Sequence, residues 1–112
     1  IYTLSLHDAL PISIVVVHDE VDLSQGEVRV KCGGGLNAHN GLRSIADKLG
    51  TRDFARVRVG IGRPPGRMNV ADYALRQLKG SFLEEFELSC ERAADACEMC
   101  LERGVAFSVK NC

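Results

Sequence analysis

The chain has 112 residues, 46% of them hydrophobic and 26% charged, a composition that fits one globular domain or part of one and excludes disordered and collagen-like classes. No apolar run approaches the roughly 20 residues of a membrane-spanning helix, so a soluble protein is expected. The net charge of −1 hides a segregation, because Glu27 to Arg67 holds nine Lys/Arg against three acids while Met68 to the C-terminus holds five against eight. Such a basic zone suits a polyanionic partner, since Lys and Arg contacts to phosphate supply most non-specific nucleic-acid affinity, although a solvated surface would carry the same charges. Five cysteines, an odd number, with no leading secretory pattern point to a reducing, cytoplasmic compartment.

Ile1 to Ser13 has neither clean alternation nor helical spacing, and Tyr2 to Ser13 reads like the translation of a sequencing adaptor. Residues 1–13 are therefore expected to be non-native, the domain portion spans 14–112, and His7 and Asp8 are left out of any catalytic argument. Ile14-Val15-Val16-Val17 is a β-branched run of the kind buried on both faces of a largely parallel sheet, which predicts a central strand. It leads to His18 and Asp19. Ligands of open α/β sheets bind at the carboxyl ends of strands, so Asp19 is a candidate carboxylate for orienting an imidazole base, with turn capping as the structural alternative. Neighbouring side chains of an extended segment diverge, so His18 and Asp19 are not expected to form a dyad, and His18 reads as a satisfied structural histidine. Asp22, close to Ser24 and Gly26, reads as a turn residue.

Glu27-Val28-Arg29-Val30-Lys31 alternates, predicting a strand with Arg29 and Lys31 on one face. The loop Gly33-Gly34-Gly35 predicts positive φ or close backbone approach to a ligand, and a glycine turn opening a helix is a natural cradle for phosphate or carboxylate. It lacks the Gly-Lys-Ser/Thr of a Walker loop, and Ala38 breaks the dinucleotide-binding pattern. A helix is predicted from near Asn40, with Leu42, Ile45, Ala46 and Leu49 on its apolar face and Gly50 just past its end. Asn40 can cap that helix or offer a donor and an acceptor to an ester, amide or ribose.

Phe54 to Gly62 predicts a third strand, with Val57, Val59 and Ile61 on one face and Arg56 and Arg58 on the other. Arg63 to Arg67 breaks regular structure, Asn69 caps a short helix to Leu75, and a long helix runs from a capping box of Ser81 and Glu84 to Gly104. Cys97 and Cys100 have metal or redox spacing. However, Phe82, Phe86, Cys90, Ala93, Cys97 and Cys100 share one helical stripe, so core packing is the reading and no metal is expected. These elements describe an α/β fold with a central, mostly parallel mixed sheet flanked by helices.

Three segments in order, Val15 through Asp22, Gly33-Gly34-Gly35 with His39-Asn40-Gly41-Leu42-Arg43-Ser44-Ile45, and Arg56-Val57-Arg58-Val59-Gly60-Ile61-Gly62-Arg63-Pro64, resemble bacterial-type peptidyl-tRNA hydrolase. The resemblance covers residues 14–112 and about the C-terminal half of such a protein, which implies that fold truncated at its N-terminus. It implies an esterase that frees tRNA by histidine-assisted attack of water on the bond between peptide and 3′ ribose, with peptidyl-tRNA as partner, no metal or cofactor, and a monomer when complete. It further implies that Asp19 orients the catalytic histidine, that Asn40, His39 and Gly35 belong to the substrate site, and that Arg29 and Arg58 grip tRNA phosphate. The family pattern has more glycine where this chain has Leu36, Asn37 and Ala38. Its general-base histidine and two further site asparagines belong to the N-terminal half, so the resemblance implies a chain that is inactive alone. Two other readings stand beside this one: a non-catalytic RNA-binding relative, and a phosphate-binding or nucleotide-binding module resting on the triple glycine.

Overall fold

The computed structural model describes residues 14–36, 39–75 and 78–111; the lead-in segment 1–13 and the loop positions Asn37 and Ala38 lie outside the described residues. Its elements are β1 (Val15–Glu20), β2 (Val28–Cys32), α1 (Asn40–Leu49), β3 (Ala55–Gly60), α2 (Val70–Ala74), α3 (Gly80–Arg103) and α4 (Val105–Asn111). The strands form one mixed sheet in the order β1-β3-β2, with β1 parallel and β2 antiparallel to β3.

The period of two in each strand sorts the side chains onto two faces. Val28 and Val30 oppose Val59 and Val57, and this apolar face packs on Ala93, Ala96 and Cys100 of α3. The other face carries two rows across the sheet. His18, Arg58 and Arg29 share one register level, while Val16, Arg56 and Lys31 share the next. α1 covers the second row through Leu42 and Ala46, which form a small core with Phe54 and Val16. α1 ends where the pattern predicts, at Gly50 with φ 73°, whose N–H bonds Ala46 O at 2.8 Å. A glycine satisfies a helix end there because a left-handed backbone costs it little.

Four sequence expectations change. β1 lies at one edge of the described sheet, not its centre, and Val17 is 51% exposed; among the described residues no strand pairs with its outer edge, and β3 takes the middle position. The capping box does not form, because α3 begins at Gly80, with Lys79 at the cap position and no side-chain cap bond. Ser81 therefore already has helical backbone and cannot take the half-in geometry of a cap. Cys90 is exposed, whereas Cys100 is buried and Cys97 half-buried on the α3 stripe. Burial, with Cys100 as the smaller cause, pushes the Cys97 thiol up, away from the reactive thiolate form. α4, a helix the sequence pattern past Gly104 does not predict, packs against β2 and α3. No helix among the described residues is long and apolar enough to cross a membrane.

Candidate functional site

The carboxyl end of β1, the start of α1 and α2 enclose a cleft of about 500 Å³ whose walls include His18, Asp19, His39, Asn40 and Arg63. The cap of α1 is His39, not Asn40: the backbone N–H of Leu42 donates to His39 Nδ1 at 3.1 Å. An accepting Nδ1 carries no proton, so the neutral ring holds its hydrogen on Nε2. That nitrogen donates to Asp19 Oδ1 at 2.8 Å. Helix capping and carboxylate pairing thus fix one tautomer of His39, with both ring nitrogens engaged. Asp19 keeps 41% of its side chain exposed, against 25% for His39, so the carboxylate remains open to a further donor from the cleft. Asn40 is the first residue of α1 and exposed, with its amide available to a ligand.

His18 is only 9% exposed, and its Nδ1 donates to the Asp19 backbone carbonyl at 2.8 Å. Its side chain thus avoids the Asp19 carboxylate, as the extended geometry requires, but the ring is only half satisfied. With the proton on Nδ1, Nε2 is an acceptor, and it is buried without a partner among the described residues. The ring meets that of His39 edge-on, with centroids 5.2 Å apart and an interplanar angle of 72°. Burial is the largest cause lowering the His18 pKa, and the neighbouring His39 adds to it, while the bond to the Asp19 backbone opposes it. The folded state therefore binds this proton less readily than the unfolded chain. Stability contributed by neutral His18 is lost as pH falls below about 6.5, the value the unfolded ring takes. The melting temperature of the chain is expected to rise as pH increases toward about 6.5, and His18→Phe to flatten that rise.

Asp22 does not serve its turn as expected. Its carboxylate accepts from Arg63, while the amides of Asp22 and Ser24 are taken by Glu20 Oε2 at 3.4 Å and Glu27 Oε1 at 3.3 Å. A short apolar stretch around Ile61 is tied instead by Tyr73, whose hydroxyl donates to Ile61 O at 2.9 Å.

The two arginines that sequence alternation placed together on β3 have different fates. Arg56 is 2% exposed; its Nη2 donates to Gly34 O at 3.0 Å and Arg52 O at 2.9 Å, and its Nη1 donates to Gly35 O. Its guanidinium also stacks over Phe54, 4.8 Å from the ring centroid. The glycine loop does take positive φ, at Gly33 (69°) and Gly34 (99°). Its carbonyls, however, are spent on Arg56 inside the protein, so the loop is first of all a seat for a buried arginine. Arg58 is half-buried and directly opposite Arg29. Like charges facing each other across a ladder destabilise it unless an anion intervenes. Arg29 reaches Glu27 at 3.5 Å, whereas Arg58 Nε is buried without a partner among the described residues. The roles of Arg56 and of His39 as a cap were not separable by sequence; a histidine directly before a helical pattern was the one usable hint.

Fold and site together define an α/β protein with a cleft at the carboxyl end of a parallel strand, the position at which such sheets bind their ligands. The sequence profile of a family described as peptidyl-tRNA hydrolase matches residues 2–112. The peptidyl-tRNA hydrolase of Rhodococcus erythropolis is 56% identical over 93 residues, which are 83% of this chain and 49% of that protein. That of Mycobacterium tuberculosis is 48% identical over 99 residues, 88% of this chain and 52% of that protein. A crystal structure of peptidyl-tRNA hydrolase from Acinetobacter baumannii superposes with a TM-score of 0.77 at 29% identity, covering 89% of this chain and 50% of that one. The chain belongs to the peptidyl-tRNA hydrolase family. It spans about half the length of the curated relatives it matches.

Proposed function

We propose that residues 14–112 carry the C-terminal part of a cytoplasmic peptidyl-tRNA hydrolase domain, monomeric when complete, whose cleft receives the ester between peptide and 3′ ribose. The contact from His39 Nε2 to Asp19 Oδ1, set in a cleft walled by family motifs, carries this reading. Asp19 serves as an orienting carboxylate with room for a second imidazole, Asn40 offers its amide to the peptide or ribose, and Gly35 lies in the loop leading to them. His39 is not the base: Leu42 N–H occupies the lone pair on Nδ1 and Asp19 takes the proton on Nε2, leaving nothing to accept a proton from water. The base belongs to the N-terminal part of a complete family member.

The chain alone is therefore expected to leave the release of peptide from peptidyl-tRNA at its buffer rate, even with protein in excess over substrate. Release above buffer that His39→Asn abolishes contradicts the assignment. The basic row across the sheet is proposed to hold tRNA phosphate through Arg29 and Arg58. In binding of a 5′-phosphorylated acceptor-stem RNA, Arg58→Gln and Arg29→Gln are each expected to reduce the slope of log affinity against log salt by about 1. Lys110→Gln, in the last turn of α4, is expected to leave the slope unchanged; equal slopes for all three variants contradict the phosphate role.

A further inference from the structure

The reading above leaves the buried His18 unused, and its surroundings give it a task. It is bracketed by the two residues of the candidate pair: its Nδ1–H is given to the Asp19 backbone carbonyl at 2.8 Å, and its ring stands edge-on to His39. We propose that His18 is a positioning residue which, while neutral, holds Asp19 and His39 in their paired arrangement. The inference rests on the reading of that pair as part of the ester site, but its test does not involve turnover.

An Nδ1–H tautomer is enforced because a carbonyl can only accept. This bond fixes the peptide that follows Asp19, hence the direction of the Asp19 side chain toward His39. The unpartnered Nε2 lies buried, so a proton added there finds no acceptor of its own in place. The groups around the ring are Asp19 and Glu20 on the same strand, His39 at the head of α1, and Arg58 at the matching register position of β3. A cation on His18 would attract the Asp19 carboxylate away from His39 and repel both His39 and Arg58. The pair is thus built to weaken as His18 takes up a proton, in the same direction as the lowered proton affinity that burial imposes on it.

Long-range proton and nitrogen spectra of the uniformly ¹⁵N-labelled chain, followed through the titration of His18, test this. Expected are a neutral Nδ1–H form for His18 and a neutral Nε2–H form for His39, the latter's ring proton exchanging with water faster in step with His18 protonation. His18→Phe keeps a ring but removes the donor, and is expected to speed that exchange about fivefold, the factor that a hydrogen bond of ordinary net strength represents. His18→Asn returns a donor near the place of Nδ1, and is expected to restore slow exchange and abolish its dependence on pH. The proposal is overturned if His39 exchange in the unaltered chain is independent of His18 protonation, or if His18→Asn leaves the pH dependence in place. Because the titration uses the unaltered chain, a variant that fails to fold does not remove the test. A hydrolase reading that failed on RNA binding would leave these spectra as they are.

Discussion

Gly60→Ala is expected to unfold the chain or to lower its stability by more than about 3 kcal/mol, a large share of the 5–15 kcal/mol typical of whole domains. The reason is space, not backbone freedom, because Gly60 is not among the glycines with positive φ. A Cβ at this position would lie well inside contact distance of Ser24 O and 2.9 Å from Leu23 Cβ, with Leu23 O at 3.0 Å. The obstacle is mainly backbone, and that backbone is bound on every side. Gly60 N–H donates to Glu27 O at 2.8 Å, Ile61 N–H to Glu20 O at 3.0 Å and Gly62 N–H to Leu23 O at 2.9 Å. Relief of the clash requires parting the end of β3 from the turn that joins β1 and β2, which is also the turn behind the cleft. Gly50→Ala gives the contrast: nothing lies within 4 Å of its Cβ, but φ is 73°, so only the left-handed cost of about 1–2 kcal/mol is expected. Urea denaturation of both variants checks the ranking, and a Gly60→Ala midpoint matching the parent would refute it.

The second large effect is expected at Arg56. Removing the guanidinium by Arg56→Met leaves the carbonyls of Gly34, Gly35 and Arg52 without their donor; these three residues are themselves exposed, so water replaces the donor in part and each lost bond costs about 0.5–1.5 kcal/mol, more for a charged donor. Part of this is offset, because the guanidinium itself is a desolvated charge with Nε unpartnered, and methionine can replace its contact with Phe54. The net loss is put at about 2–4 kcal/mol, concentrated in the glycine loop. Arg56→Lys keeps the charge but cannot fork to carbonyls from two segments, so it is expected to recover less than half of the loss. Amide hydrogen exchange distinguishes loop damage from general destabilisation. Gly33 N–H, bonded to Phe54 O at 3.0 Å, and His39 N–H, bonded to Leu36 O at 2.8 Å, are expected to lose protection in Arg56→Met before the amides of α3 do. Uniform loss across the chain would contradict the loop-seat role.

What sequence could and could not show follows from these same residues. Period and punctuation are local, and they were legible: the alternation of Val57 and Val59, the stop at Gly50, and the Asn69 cap, which accepts from Ala71 N–H at 2.8 Å. Arg56 and Arg58 obey one alternation and were indistinguishable, because their difference lies in whether α1 and Phe54 reach that register row, which is a tertiary matter. The run Ile14 to Val17 announced burial on both faces, yet Val17 stands over an apolar hollow of about 580 Å³ walled by Phe82, Phe86 and Tyr73. A strand's composition specifies its need for cover, not whether the cover is in the same stretch of chain. His39, and not Asn40, caps α1, because a one-residue difference in where a helix begins decides which side chain caps it. The likeness to the hydrolase family, in turn, rests on motif order, and Asp19, His39 and Asn40 from two of those motifs line one cleft.

The most direct measurement of that site is a titration of the ¹⁵N-labelled chain with a 5′-phosphorylated acceptor-stem RNA carrying an N-blocked aminoacyl ester on its 3′ ribose. The account predicts backbone shift changes at Asp19, His39 and Asn40, with Arg58 and Arg29 responding to the phosphate and the ester decaying no faster than in buffer. Shift changes confined to other surfaces, or none at these positions at saturating RNA, would contradict it.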